Sequence, residues 1–299
     1  NILPKLIGAI GWVLAKITRQ PKFESFFGIE MMFLGNTEAL AVSNEQLKRM
    51  NEMRVLTVAM MSMSSVSGAI VGAYVQMIPG ELVLTAIPLN IVNAIIVASI
   101  LNPVRVEDKE DIIYSIKDQD IERQPFFSFL GDSVLAAGKL VLIIIAFVIS
   151  FVALADLADR LINLITGGIG HLMGLKGSFG LDQILGVFMY PFALLLGLPW
   201  DEAWLVAQQM AKKIVTNEFV VMGEVSKSIN TLSPHHKAVI STFLVSFANF
   251  STIGMIIGTL KGIVDKKTAD FVSKYVPMML LAGILVSLLT AAFVGLFAW

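Results

Sequence analysis

Two short stretches carry the residues that could do chemistry in an otherwise apolar chain: Gly35-Asn36-Thr37-Glu38 and Thr216-Asn217-Glu218. Each sets a carboxylate beside an amide and a hydroxyl. An ionised carboxylate only accepts hydrogen bonds and can take two at once, so it suits vicinal hydroxyls such as those of a sugar. The amides of Asn36 and Asn217 both donate and accept, which suits a nucleobase edge or a further hydroxyl. Asn249 and Thr252 stand three apart and share one face of a helix. Phe219, Phe247 and Phe250 either stack on a flat ligand or pack the core. Glu30 precedes the first tip and could snorkel, hold a proton or pair with a base. The structural alternative for Glu218 is an ion pair with Lys213 or Lys212. Catalysis has little to stand on. His171, His235 and His236 fall in or near loops, with the last two reading as solvated, and no HExxH, nucleophile elbow or phosphate loop occurs. No metal or cofactor is implied.

The surroundings make these carboxylates unusual. The 299 residues are 56% hydrophobic and 15% charged, with a mean hydropathy of +0.78, against about 25% charged residues in soluble domains. Uncharged runs at 55–80, 82–104, 238–260 and 275–299 reach spanning length, and 140–155 does so if its flanks snorkel. A polytopic, all-α membrane protein follows. A net charge of −1 offers no case for nucleic acid. The absence of cysteine excludes disulfides, thiolate metal sites and thiol catalysis. Lys5, Lys16 and Arg19 interrupt the first 20 residues, so these are no signal peptide. They read as an interfacial helix on the cytoplasmic side.

Neither tip lies on a segment long enough to cross a bilayer. Helix-breaking backbone is tolerated in a membrane only where it is buried in protein or lines a wet cavity. Both tips are therefore expected on re-entrant hairpins, 21–44 and 201–226. Each hairpin precedes a helix with a polar, broken centre, over 53–79 and 237–261. The first centre is rich in serine (62, 64, 65 and 67) and the second reads Phe247-Ala-Asn-Phe-Ser-Thr-Ile-Gly254. A plain helix follows each, at 82–104 and 275–299. Lysine and arginine over 45–54 place the first hairpin inside, and the second enters from outside. The halves, 21–104 and 201–299, are thus expected to be inverted repeats with a site where they meet. Between them, 105–200 reads as a charged solvated linker, a scaffold helix at about 130–158 and an interfacial segment.

Four motifs in register, Phe33-Leu-Gly-Asn-Thr-Glu-Ala39, Val66-Ser-Gly-Ala-Ile-Val-Gly-Ala-Tyr74, Asn217-Glu218-Phe219 and Phe247–Gly254, resemble the concentrative nucleoside transporter family over essentially the whole chain. The resemblance implies a homotrimer in the cytoplasmic membrane. Two hairpin–helix–helix repeats would move against a scaffold whose earlier spans are missing from this sequence. It implies that Asn36, Thr37 and, through water, Glu38 contact a nucleobase, with Ile70 beside it. It implies that Glu218, Asn249 and Thr252 hold the ribose, with Asn217, Phe219 and Phe250 as further candidates. Asn36 replaces the family's usual glutamine, and Thr252 the usual serine. Sodium-coupled members use carbonyls at positions matching Leu34, Ser65 and Val66 plus an asparagine side chain, which is Met31 here. A thioether is a poor ligand for a hard cation. Proton symport, with Glu38 or Glu30 titrating, is therefore expected over sodium symport, and the C-terminus is expected outside. From another class, a non-transporting receptor or gate protein could use the same hairpins.

Overall fold

The computed structural model describes residues 3–18, 20–107, 109–113, 125–172 and 180–299. The middle of the expected linker and the glycine-rich stretch 173–179 lie outside the described residues. In chain order the elements begin with α1 (Leu3–Thr18), the hairpin α2 (Lys22–Leu34) and α3 (Asn36–Val42), and α4 (Asn44–Arg49). A broken pair α5 (Glu52–Ser62) and α6 (Gly68–Tyr74) leads to α7 (Gly80–Leu101). After α8 (Phe126–Leu172) and α9 (Leu181–Leu195) comes the hairpin α10 (Trp200–Val215) and α11 (Glu218–Val225). The broken pair α12 (Pro234–Leu244) and α13 (Phe250–Ile263), α14 (Lys266–Lys274) and α15 (Val276–Gly295) complete the chain. No strand occurs among the described residues. The order hairpin, broken pair, long helix is found twice.

The chain divides into two compact units, one of 1–113 with 182–299 and one of 114–181. The smaller unit is essentially α8, which has 47 residues and far outruns the expected 130–158. No proline interrupts it, and past the charged turn at Asp156, Asp159 and Arg160 the mostly apolar run Leu161–Ile165 carries it on. Arg160 Nε stays on its own helix, 2.8 Å from Asp156 Oδ2.

In the larger unit, α7 and α15 are long and apolar enough to cross a bilayer. They pack on each other, and both touch α5 and α12. Two apolar cores flank this pair. One joins the first hairpin and α5 to α13 and α14, and the other joins α6 to α9, the second hairpin and α12. Each broken helix thus lends one half to each core, so its break is where the chain passes between them. Gly283 of α15 sits at that crossing. A Cβ there would lie 2.8 Å from Ala248 Cβ and 3.1 Å from Met63 Cβ, one in each break.

Two sequence expectations are corrected. His235 and His236 are not solvated, because α12 begins at Pro234 and carries both inward. His235 Nε2 lies 2.8 Å from the Leu196 carbonyl, and its ring stacks on Trp299 at 4.2 Å. His236 Nδ1 lies 3.0 Å from Glu202 Oε2. The start of the linker is not merely solvated either. Gln46 Nε2 donates to the Ile112 carbonyl at 3.1 Å, and the Lys22 amide donates to Asp111 Oδ1 at 2.7 Å.

Arg54, read above as one of several basic residues at the hairpin foot, is buried. Its Nε and Nη2 donate to the two Glu24 oxygens, both at 2.8 Å, and Nη1 donates to the Glu110 carbonyl at 3.0 Å. This fork ties α2, α5 and the linker together. Removing one member leaves a buried charge alone, at a cost of about 3–5 kcal/mol. Arg54→Met is therefore expected to lower the thermal unfolding midpoint sharply, and Glu24→Gln in the same chain to recover much of the loss. An unchanged midpoint for Arg54→Met would contradict this role.

Candidate functional site

Both hairpin tips are built by residues that cannot continue a helix. Gly35 closes α2 with φ +100°, a region that disfavours side chains. A Cβ there would sit 2.9 Å from Glu38 Oε2 and 3.1 Å from Ser67 Cβ. Asn36 then turns its Oδ1 to the Thr37 amide at 2.8 Å, while its Nδ2 donates to the Ser62 carbonyl at 3.3 Å. That carbonyl belongs to the last residue of α5, so the first tip closes the first break. Thr37 Oγ1 donates to Glu38 Oε2 at 2.9 Å. Both residues are half-buried, and among the described residues no donor reaches Glu38 Oε1. Ile70, on α6, is partly buried against the second core.

At the second tip Asn217 caps α11, accepting from the Val220 amide at 3.1 Å. The Thr216 hydroxyl is spent on the Lys212 carbonyl at 2.6 Å. Glu218 is buried and held from two other elements. Tyr74 Oη, at the end of α6, donates to Oε1 at 2.9 Å, and Asn249 Nδ2 donates to Oε2 at 3.0 Å. Asn249 is the N-cap of α13. Its Oδ1 accepts from the Thr252 amide at 2.9 Å, Thr252 Oγ1 at 3.1 Å and Ser251 Oγ at 2.8 Å.

The sequence candidates thus fall into two clusters, Asn36–Thr37–Glu38 and Glu218–Asn249–Thr252. Among the described residues no hydrogen bond or ion pair joins the two, although α3 packs against α13. Phe219 lies edge-on to Tyr74 at 5.2 Å, and Phe250 is 44% exposed. Glu218 pairs with neither lysine: Lys212 Nζ is 2.6 Å from Glu224 Oε1, and Lys213 is turned elsewhere.

Of the expected ion-coupling positions, Met31 and Ser65 touch each other. Ser65 Oγ donates to Met31 Sδ at 3.1 Å, and both residues are fully buried. Val66 is buried beside Ser65, and Leu34 is half-buried at the end of α2. Glu30 is buried one residue away, with Ser43 Oγ donating to its Oε2 at 3.0 Å. No cluster of metal-ligating side chains occurs among the described residues.

Sequence reasoning missed Tyr74 and Asn90, and it offered Lys213 only as an ion-pair partner of Glu218, whereas its Nζ meets the Phe243 carbonyl and two serines. Tyr74 stood inside a quoted motif, and its hydroxyl in an apolar run was the available signal. Asn90, in the middle of a spanning helix, was another. Its Nδ2 donates to the Val245 carbonyl in the second break, and its Oδ1 accepts from Thr290 Oγ1 at 2.6 Å.

The model of the family described as Na+ dependent nucleoside transporter C-terminus matches residues 82–295. The chain is 47% identical over 299 residues to the purine nucleoside transport protein NupG of Bacillus subtilis, covering 100% of this chain and 72% of that one. It is 29% identical over 304 residues to the nucleoside permease NupC of Helicobacter pylori, covering 99% and 70%. Among solved structures, CNTnw in an inward-facing substrate-bound state superposes with a TM-score of 0.83 at 29% identity, covering 98% of this chain and 68% of that one. These relatives are named for transport, not for catalysis. With the all-helical fold and the matched length, they identify this membrane protein as a member of the concentrative nucleoside transporter family.

Proposed function

We propose that this chain imports nucleosides, purine nucleosides foremost, across the cytoplasmic membrane by proton symport with elevator-type alternating access. The observation that carries the reading is Glu218 held between Tyr74 and Asn249. Each carboxylate oxygen has one donor and keeps a lone pair for a sugar hydroxyl. Asn249 and Thr252 stand next to it, and Asn217, Phe219 and Phe250 border the same tip. Asn36, Thr37 and Glu38 would read the base with Ile70 alongside. The name of the Bacillus relative supports the purine preference.

Proton coupling rests on Met31 and Glu30. Where an oxygen ligand would serve sodium, a buried thioether already receives the Ser65 hydroxyl at 3.1 Å. Among the described residues Ser43 is the one side chain that hydrogen-bonds buried Glu30, and burial disfavours an uncompensated ion. Glu30 would carry the proton, with Glu38 as the other candidate. A second reading, sodium symport, is favoured by the family description and by the carbonyls at Leu34, Ser65 and Val66. The remaining proposals are the inverted orientation of the two hairpins, a homotrimer and a C-terminus outside.

Labelled adenosine in sealed vesicles holding the full-length protein tests this. Accumulation is expected under an imposed proton gradient, equal with and without sodium and rising as the outside pH falls. A strict sodium requirement would overturn the coupling and keep the substrate. Binding with no accumulation under either gradient would favour the receptor reading. Glu30→Gln is expected to keep adenosine exchange and lose the response to the proton gradient. Tyr74→Phe removes one donor from a buried carboxylate, so KM for adenosine should shift by about tenfold. An unchanged KM would remove Tyr74 from the site.

A further inference from the structure

Lys213, in the last turn of α10, is fully buried. Its Nζ lies 2.8 Å from the Phe243 carbonyl oxygen, 2.6 Å from Ser246 Oγ and 3.3 Å from Ser287 Oγ. The Phe243 ring centre is 4.5 Å away, within cation–π range. One arrangement of protons satisfies every group in this cluster. Ser287 gives its hydroxyl proton to the Gly283 carbonyl at 2.9 Å. Ser246 is then the donor in its 2.6 Å contact with Ser287. In that arrangement both hydroxyl oxygens, like the carbonyl, accept from Lys213. Three acceptors facing one nitrogen match the three donors of an ammonium and leave no partner for an amine lone pair.

The placement of this charge is specific. α12 ends at Leu244, so the Phe243 carbonyl is one of those left without an intrahelical donor at the negative end of the helix. Among the described residues no carboxylate lies within ion-pair distance of Nζ. A buried cation without a contacting anion is costly, and here its ligands are those of a small cation site. Ser246 belongs to the break, three residues before Asn249, and Ser287 belongs to α15. The ammonium thus ties the second hairpin to the break that orients Asn249 toward Glu218.

We propose that Lys213 is a tethered cation, a positioning residue that holds the α12–α13 break in the shape that lets Asn249 reach Glu218. Cutting its side chain back would turn the pocket into a site for a free monovalent cation. The inference rests on the nucleoside reading of Glu218 and Asn249, so the wild-type protein is the first arm of the test. Adenosine affinity is measured on purified full-length protein, with and without methylammonium. Wild type is expected to bind adenosine without regard to methylammonium, and wild type that binds no adenosine overturns both readings. Lys213→Ala should bind about tenfold more weakly, the effect of losing a charged hydrogen bond. Methylammonium should restore much of that loss, and the larger tetramethylammonium should not. Lys213→Ala binding like wild type, or weak binding that methylammonium leaves unchanged, overturns the inference alone. If Lys213→Ala does not fold, Ser246→Ala decides, since it keeps the lysine and the volume. It should raise KM for adenosine and leave Vmax in place, and an unchanged KM overturns the proposal.

Discussion

A helix that stops inside an apolar medium leaves carbonyl oxygens that water cannot reach, and each orphan costs a few kcal/mol. This molecule interrupts two helices near its middle, and much of its buried polar inventory is spent on the consequences. Asn36 reaches the Ser62 carbonyl at the end of α5. Lys213 reaches Phe243 and Asn90 reaches Val245 at the end of α12. The donors come from the two hairpins and from α7, so the elements that surround the breaks are also those that complete their hydrogen bonding. Asn36 closes a break while its neighbours Thr37 and Glu38 hydrogen-bond to each other.

The buried charges divide by their treatment. Glu24 and Arg54 form a direct, forked pair and serve the hairpin foot. Glu218 is bound instead by neutral donors from two elements, which keeps its oxygens open to a third party. Glu30 accepts from the hydroxyl of Ser43. A carboxylate fully matched by arginine has nothing left to offer a substrate or proton. The weakly matched ones, near the breaks, are those to which the proposed function assigns work.

Much of this was legible in the sequence, for a definite reason. Intramembrane carboxylates beside amides are so costly that Glu38 and Glu218 stand out without any structure. Asn249 and Thr252 do meet, but as a helix cap and its third residue rather than on one helix face. What escaped were contacts between residues far apart in the chain. Nothing local says that Tyr74 would meet Glu218, or that Lys213 would ignore the glutamate five residues on and seek a carbonyl in another helix. The histidines failed for the opposite reason. Their neighbours Ser233 and Pro234 look like a loop, but they also form a helix start, Ser233 Oγ accepting from the His236 amide at 3.2 Å. The charged residues at the hairpin foot announced a sidedness, and only packing could show that Arg54 among them points inward.

Gly283 gives the two halves of the molecule a common wall. Its missing side chain lets Ala248, from one break, and Met63, from the other, press on the same spot of α15. One helical turn further, Ser287 touches the ammonium of Lys213. A shift of one break along α15 therefore has no slack to absorb it before it presses on the other. The two polar clusters, drawn from opposite ends of the chain, are in this way coupled through one spot on α15 that only a glycine leaves open.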